Sequence, residues 1–392
     1  MNAPLDGILV ADFSRVLAGP MATMMLADLG ARVIKVERPG GGDETRAWGP
    51  PFTERGTSYF ESVNRTKESV ALDLRNPDDL VLAQELARRA DVVVENFLPG
   101  TMDRLGLGYE QVAATNPGVV YCSISGFGSG AGAHLPGYDF VIQGLGGLMS
   151  ITGTPGEPMK VGVAIVDVLT GKDAVIGILA ALAGRARTGR GERLEVALLM
   201  SSLAGMVNQG QAALTTGRPP GLLGNRHPSI APYETLHCPG GPLIMACGND
   251  GQFARLCEVL GAPELAAQAE YATNSARVVN RVALTSLLEE LLADADADYW
   301  VEQLTAARVP AGRVGTILDG IATATDVGLD PTVEVGGQRQ VRHPVRWTAY
   351  ETADPTPPPS LDEHGYAVRA WLADPAAYPL PDPSPTPSTI DQ

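Results

Sequence analysis

The sequence predicts an α/β protein built on a parallel sheet, with a smaller second unit following late in the chain. Three observations carry that expectation. Short apolar runs alternate with helix-spaced patterns through the first half of the chain. Hydrophobic residues make up 44% of the 392 residues, aromatics only 5%, and there are 45 glycines, which describes a tightly wound globular chain rather than a disordered one. The cluster Gly217-Arg218-Pro219-Pro220-Gly221 then interrupts the pattern, as turn-forming residues between units do. A chain of this length also exceeds one typical core.

Taken in order, Ile8–Phe13 reads as a short buried strand, and Gly19-Pro20 breaks the chain before a helix over Met21–Leu29. Ala31–Glu37 is the second strand. Helix Pro77–Arg89 leads to strand Asp91–Glu95, and helix Tyr109–Asn116 leads to strand Val119–Ser125. Strands alternating with helices at this spacing indicate βαβ units and a parallel, Rossmann-like sheet. No G-x-G-x-x-G follows the first strand, so a nicotinamide cofactor is not expected. A helix over Lys172–Leu182, a strand over Arg193–Leu198 and a long helix over Met200–Thr216 complete the large domain. The expected boundaries are 1–216 for that domain, 217–235 for a linker and 236–325 for a small α+β domain. Residues 326–373 return to the large domain, and 374–392 form a Pro-rich tail.

The net charge of −16 argues against nonspecific binding to nucleic acid or anionic membranes. An anionic ligand must therefore meet a local cluster of Arg or Lys. Cys122, Cys238, Cys247 and Cys257 form no CxxC pair and have no His at ligand spacing, so buried free thiols are expected and no metal site. The amino terminus lacks a signal-like pattern, and no apolar stretch is long enough to span a membrane. A cytoplasmic protein is the expectation.

Asp167 draws attention because an apolar run, Val161–Val166, ends in this acid just before a helical pattern. One reading is that Asp167 or Thr170 caps that helix. The other comes from a larger series: Asp12–Pro20, Asp28–Gly40, Asn64–Lys67, Asp91–Phe97 with Pro99-Gly100, Gly137-Tyr138-Asp139, the Asp167 segment, and Thr188–Gly191. In that order and spacing the chain resembles the class III coenzyme A transferases, which include formyl-CoA and carnitine CoA-transferases and α-methylacyl-CoA racemase. The resemblance spans roughly residues 5 to 370. It implies an interlocked homodimer, acyl-CoA and a carboxylic acid as substrates, and no permanently bound cofactor.

By the same resemblance Asp167 is the nucleophile. The chemistry suits a carboxylate, which forms a mixed anhydride with the acyl group and so keeps the thioester energy that a serine ester would lose. Val16, Ala18, Arg38, Leu72, Arg75, Asn96, Phe97, Arg104 and Tyr138 match the family's CoA contacts. The arginines suit the phosphates, although each can equally be a surface ion pair. Loops at Gly224-Asn225-Arg226 or Gly146-Gly147 are candidate oxyanion donors. The chain lacks the consecutive glycines that formyl-CoA transferase carries near the first loop. Leu17 stands where that enzyme has Gln, which argues against a formyl-CoA and oxalate pair. Tyr138 replaces the histidine of the racemase branch, so a racemase is the alternative reading, disfavoured because tyrosine is a poor base near neutral pH. A catalytically silent acyl-CoA-binding protein is a third. The segments Arg15–Pro20, Trp48–Phe52 and Gly224–Tyr233 look most like the succinyl-CoA:dicarboxylate subgroup, with Arg46, Arg226 or His227 as the cation for a second carboxylate. Each of these can also be a purely structural contact.

Overall fold

Six strands and their crossover helices build the first body. Numbered in chain order, and leaving aside single turns and two-residue bridges, they are β1 (Leu9–Asp12), α1 (Ala18–Asp28), β2 (Arg32–Glu37), β3 (Lys67–Ala71), α2 (Pro77–Arg89), β4 (Val92–Glu95), α3 (Tyr109–Thr115), β5 (Val120–Ser125), α4 (Asp139–Leu145), α5 (Ile165–Thr188), β6 (Glu192–Ala197), α6 (Leu198–Gly205) and α7 (Val207–Thr216). All pairings are parallel, in the order β6-β5-β4-β1-β2-β3. This is the doubly wound order of dinucleotide-binding sheets, reversing direction between β1 and β4. The computed structural model describes residues 3–350 and 354–374, so most of the expected Pro-rich tail lies outside the described residues.

Strand alternation sends apolar side chains to both faces, as a parallel sheet covered by helices requires. Val10, Val33, Val94, Val120 and Ile124 pack on one side with Ala22 and Leu26 of α1 and Val175 and Ile178 of α5. Leu9, Ala11, Ile34, Val93 and Tyr121 pack on the other with Ala83 and Leu86 of α2. A last helix, α8 (Gly365–Ala373), adds Val368 and Trp371 to that second core. Its leading segment covers the edge strand β3. The Ser69 N–H donates to His364 Nδ1 (3.3 Å), the Ala71 N–H to Asp362 Oδ1 (2.7 Å), and the His364 N–H to the Ser69 carbonyl (3.0 Å). An open edge is thereby closed to pairing with other chains.

Several expectations shift. Helix α1 begins at Ala18, ahead of Gly19-Pro20, because proline in a first turn gives up only an N–H with no helical partner. The expected Met200–Thr216 helix is two, α6 and α7, joined at Met206, with Val207 at φ +33°. Strand β3 was not expected, because its sequence Lys-Glu-Ser-Val-Ala does not read as buried, yet all five residues are. Its charges have partners. Lys67 Nζ lies 3.0 Å from Asp12 Oδ2 with both side chains fully buried, and Glu68 receives Arg32.

Among the described residues, contacts divide the chain into two units, 3–148 with 161–218, 332–350 and 354–374, and 149–160 with 219–331. Residues 149–160 thus group with the second unit, and strand β7 (Tyr233–Cys238) begins inside the range expected to be linker. The second unit is α+β. Strand β7 pairs antiparallel with β8 (Gly241–Ala246) and β8 with β9 (Ala311–Arg313). Leu236, Leu243, Met245, Phe253, Leu256, Leu284, Leu288 and Trp300 form its core. Among the described residues no helix is long and apolar enough to cross a membrane, and no group of three His, Cys, Asp or Glu side chains could hold a metal.

Lys67→Met would leave Asp12 ionised and buried without its nearest ammonium. The expected loss is about 3–5 kcal/mol of unfolding free energy, read as a lower urea midpoint. Adding Asp12→Asn to the same variant should recover part of it.

Candidate active site

Open α/β sheets bind ligands beyond the carboxyl ends of their strands, where the strand order reverses. Here those ends carry Asp12 of β1 and Glu95 of β4, followed by the loops Phe13–Leu17 and Asn96–Gly100. The two loops are stitched together by one side chain. Asn96 Oδ1 accepts the Arg15 N–H (2.9 Å), and Asn96 Nδ2 donates to the Arg15 carbonyl (2.7 Å). Below them, Lys35 Nζ donates to the Ser14 carbonyl (2.8 Å), and Asp43 accepts the Val16 N–H (3.2 Å). Val16 is held at φ +71°, a conformation costing a β-branched residue of order 1–3 kcal/mol that persists only where the surroundings impose it.

A cavity of about 220 Å³ opens at this point, lined by Val16, Leu17, Ala18, Asn96, Phe97, Tyr138 and Asp167. Two close backbone approaches shape it. A Cβ on Gly137 would stand 2.4 Å from the Gly126 Cα, and one on Gly171 would stand 2.8 Å from the Ala18 carbonyl. Only glycine lets the 126–137 loop fold onto itself and α5 approach the start of α1.

Asp167 does not cap its helix. Helix α5 starts at Ile165, with Asp167 as its third residue and no cap from Ala164. The cap comes from another segment, where Asp139 Oδ1 accepts the N–H groups of Val166 (2.8 Å) and Asp167 (3.3 Å). Asp139 Oδ2 in turn accepts Gln143 Nε2 (2.6 Å), and Gln143 Oε1 accepts the Val161 N–H (2.9 Å). One carboxylate thus satisfies the free N–H groups of the helix start. The other is left with no hydrogen-bond donor among the described residues. Burial, reinforced by Asp139, raises Asp167 to about 7. Tyr59 is pushed up to about 12 by burial and then by Asp167 and Asp139.

A second cavity, of about 320 Å³, is lined by Arg15, Lys35, Arg38, Leu72, Arg75 and Phe97 among others. Arg15 and Phe97 belong to both walls. Of the expected contacts, Val16, Ala18, Asn96, Phe97 and Tyr138 therefore gather with Asp167, while Arg38, Leu72 and Arg75 gather next door. Arg38 Nε donates to the Gly42 carbonyl (3.1 Å), and the exposed Arg75 pairs with Asp73 (3.0 Å). Arg104 lines neither cavity; its side chain folds back onto Thr101 Oγ1 (3.0 Å) on an exposed single turn.

Arg46 is committed elsewhere. It donates to both oxygens of Glu37 (2.8 and 2.7 Å) and lies 3.8 Å over the Phe60 ring. Arg226 and His227 belong to the second unit. Arg226 Nε donates to the Leu223 carbonyl (3.1 Å), and His227 Nδ1 accepts the Ser229 N–H (3.1 Å). In the two glycine loops, the N–H groups of Gly146, Gly147 and Gly224 donate to the carbonyls of Ile142, Gly144 and Gly153. The roles of Arg15, Tyr59 and Gln143, and the capping role of Asp139, escaped sequence reasoning. Asp139 and Gln143 carry an i,i+4 signal for a helix, but nothing local shows that they cap a different one.

The match to the CoA-transferase family III model runs over residues 5–365. The chain belongs to that family, and it is an enzyme of the CoA-transferase class. It is 44% identical to a succinate–glutarate CoA-transferase of Agrobacterium fabrum over 94% of this chain and 96% of that one. It is 40% identical to an acetyl-CoA:oxalate CoA-transferase of Acetobacter aceti over 96% and 97%. The crystal structure of a CaiB/BaiF family protein from Brucella suis superposes with a TM-score of 0.86 at 46% identity, covering 95% of this chain and all of that one.

A raised acid binds a proton in the folded state that the unfolded chain has already released, so the Asp167 carboxylate costs stability as pH rises from about 4 to about 7. Asp167→Asn should therefore stabilise the CoA-transferase by about 1–3 kcal/mol at pH 8. The gain should shrink towards zero near pH 4, as followed by thermal unfolding.

Proposed function

We propose that the enzyme moves CoA from succinyl-CoA to a dicarboxylic acid of about glutarate size, with Asp167 as nucleophile and the two cavities as the acyl-CoA site. The observation that carries this reading is the donor-free Asp167 carboxylate in the cavity at the reversal point of the sheet, in a family whose similar members include a succinate–glutarate transferase.

The Asp167 carboxylate attacks the thioester carbonyl, forming a mixed anhydride and releasing CoA thiolate. The thiolate attacks the aspartyl carbonyl of that anhydride, leaving an aspartyl thioester and freeing the donor acid. The acceptor carboxylate attacks the aspartyl thioester, giving a second anhydride and CoA thiolate again. Thiolate attack on the acceptor's carbonyl yields the new acyl-CoA and restores Asp167. A nucleophile poised near neutral pH is ionised enough to attack and is a good leaving group afterwards. The backbone N–H groups of Leu17 and Ala18, beside the cavity at the first turn of α1, are the donors for the developing oxyanions. Arg46, Arg226 and His227 are the sequence candidates for the cation that a distal carboxylate needs. Ile176, Met200, Val207 and Leu214 expose 64–83% of their surface on α5, α6 and α7, and these side chains fit burial in an interlocked homodimer.

Asp167→Ala should reduce transfer below a tenth of the wild-type kcat while CoA still binds. Hydroxylamine with succinyl-CoA and no acceptor should modify Asp167, detectable by peptide mass. A modification mapping to another residue would remove Asp167 from the role. The kcat/KM of the wild type should fall as pH drops below about 7, and Asp139→Asn should move that limb to lower pH. In a panel that includes oxalate, succinate and glutarate should exceed butyrate and valerate by at least about tenfold in kcat/KM. Equal use of glutarate and valerate would overturn the dicarboxylate reading.

A further inference from the structure

Gln143 is fully buried on α4, and both ends of its side-chain amide are used. Its Oε1 accepts the Val161 N–H (2.9 Å), and its Nε2 donates to Asp139 Oδ2 (2.6 Å). The first bond decides the second. A backbone N–H can only donate, so the amide oxygen must face Val161 and the amide nitrogen must face Asp139. Turning the amide over would leave buried polar groups on both sides without partners, which folded proteins avoid.

Asp139 passes the constraint on. With Oδ2 taken by Gln143, its Oδ1 is turned to the N–H groups of Val166 (2.8 Å) and Asp167 (3.3 Å). The relay starts at Val161 and returns to Val166, so it braces the stretch of chain that leads into α5. An acid in a first helical turn ordinarily turns back to the N–H groups of the helix start. Here those groups are occupied, and Asp167 is left to line the cavity. Two titratable side chains interact with Asp167: Asp139 on α4, and Tyr59 on the turn Ser58–Glu61. Burial, then Asp167 and Asp139, push Tyr59 up to about 12, so it is neutral near pH 7. Asp139 is then the charge that acts on Asp167, and its placement sets how strongly. We propose that Gln143 is a positioning residue for the transfer reaction: through Asp139 it keeps the start of α5 capped and a negative charge beside Asp167, and so governs the ionisation of the nucleophile. The inference rests on the assignment of Asp167 as nucleophile made above.

The test is kcat/KM for succinyl-CoA against pH in wild type, Gln143→Met and Gln143→Glu. The first substitution keeps the side-chain length and loses both bonds. Its acid limb should move to lower pH by about half a unit or more, because Asp139 is released and the vacated N–H groups turn to Asp167. Gln143→Glu can make both bonds while protonated, and its limb should return towards the wild-type position. A thermal-unfolding cycle reads the same ionisation without catalysis. The gain from Asp167→Asn at pH 8 should be smaller in Gln143→Met than in wild type. An unmoved limb with an unchanged cycle would overturn the proposal. So would a low-pH displacement as large in Gln143→Glu as in Gln143→Met, which would reduce the effect to packing. A changed cycle with an unmoved limb would uphold the action of Gln143 on Asp167 and remove Asp167 as nucleophile instead, so the two failures separate. If Gln143→Met does not fold, Gln143→Asn, too short to bridge both partners, is read in the same two assays.

Discussion

Everything at the carboxyl edge of the sheet depends on a cluster of charges buried beneath it. Asp12 closes β1, Lys35 lies within β2 and Lys67 opens β3, and all three side chains are buried on neighbouring parallel strands. Burial pushes the Asp12 carboxyl up, but Lys67 and Lys35 overcome it and hold the group at about 2. Asp43 and Glu37 extend the cluster, and Arg46 and Ser69 close it. Such ion pairs are weak sources of net stability, since desolvation offsets most of the attraction. What the cluster provides here is geometry. Lys35 grips the Ser14 carbonyl and Asp43 grips the Val16 N–H, so the loop that lines both cavities is fixed from below and Val16 is kept at a positive φ.

A second division of labour sits on the opposite wall. Two aspartates share one helix start, and their surroundings give them opposite tasks. Asp139 is buried and fully hydrogen-bonded, capping α5 from outside and orienting Gln143. Asp167 stands one helical position beyond the capped N–H of Val166, relieved of the capping duty that an acid there would ordinarily assume. Asp139 also adds its charge to the burial that keeps Asp167 near neutral pH.

The cavities are thus a product of topology as much as of residue choice. A sheet that reverses direction between β1 and β4 leaves a crevice at those strand ends. The Asn96 side chain bridges it by pairing with the Arg15 backbone as a strand would. The absence of a G-x-G-x-x-G turn after β1 is consistent with this arrangement, because Arg15 and Val16 occupy the place where such a turn would approach a ligand.

The sequence alone determined the fold class, the alternation of strands and helices, and the order of the motifs, because apolar periodicity and turn residues are local signals. It singled out Asp167 and the residues that gather around it, and helix α2 lies where its Asn76 cap and closing arginines place it. It could not show β3, since a strand of Lys-Glu-Ser looks solvated until Asp12 and Arg32 are brought to it from 55 and 36 residues away. Nor could it say that Asp139 rather than Asp167 caps α5, that Arg46 belongs to Glu37, or that Arg104 folds away from both cavities. Each of these turns on a partner distant in sequence or on the direction of a side chain. Which groups a buried charge meets is set by the packing of the sheet, and only the tertiary structure decides that.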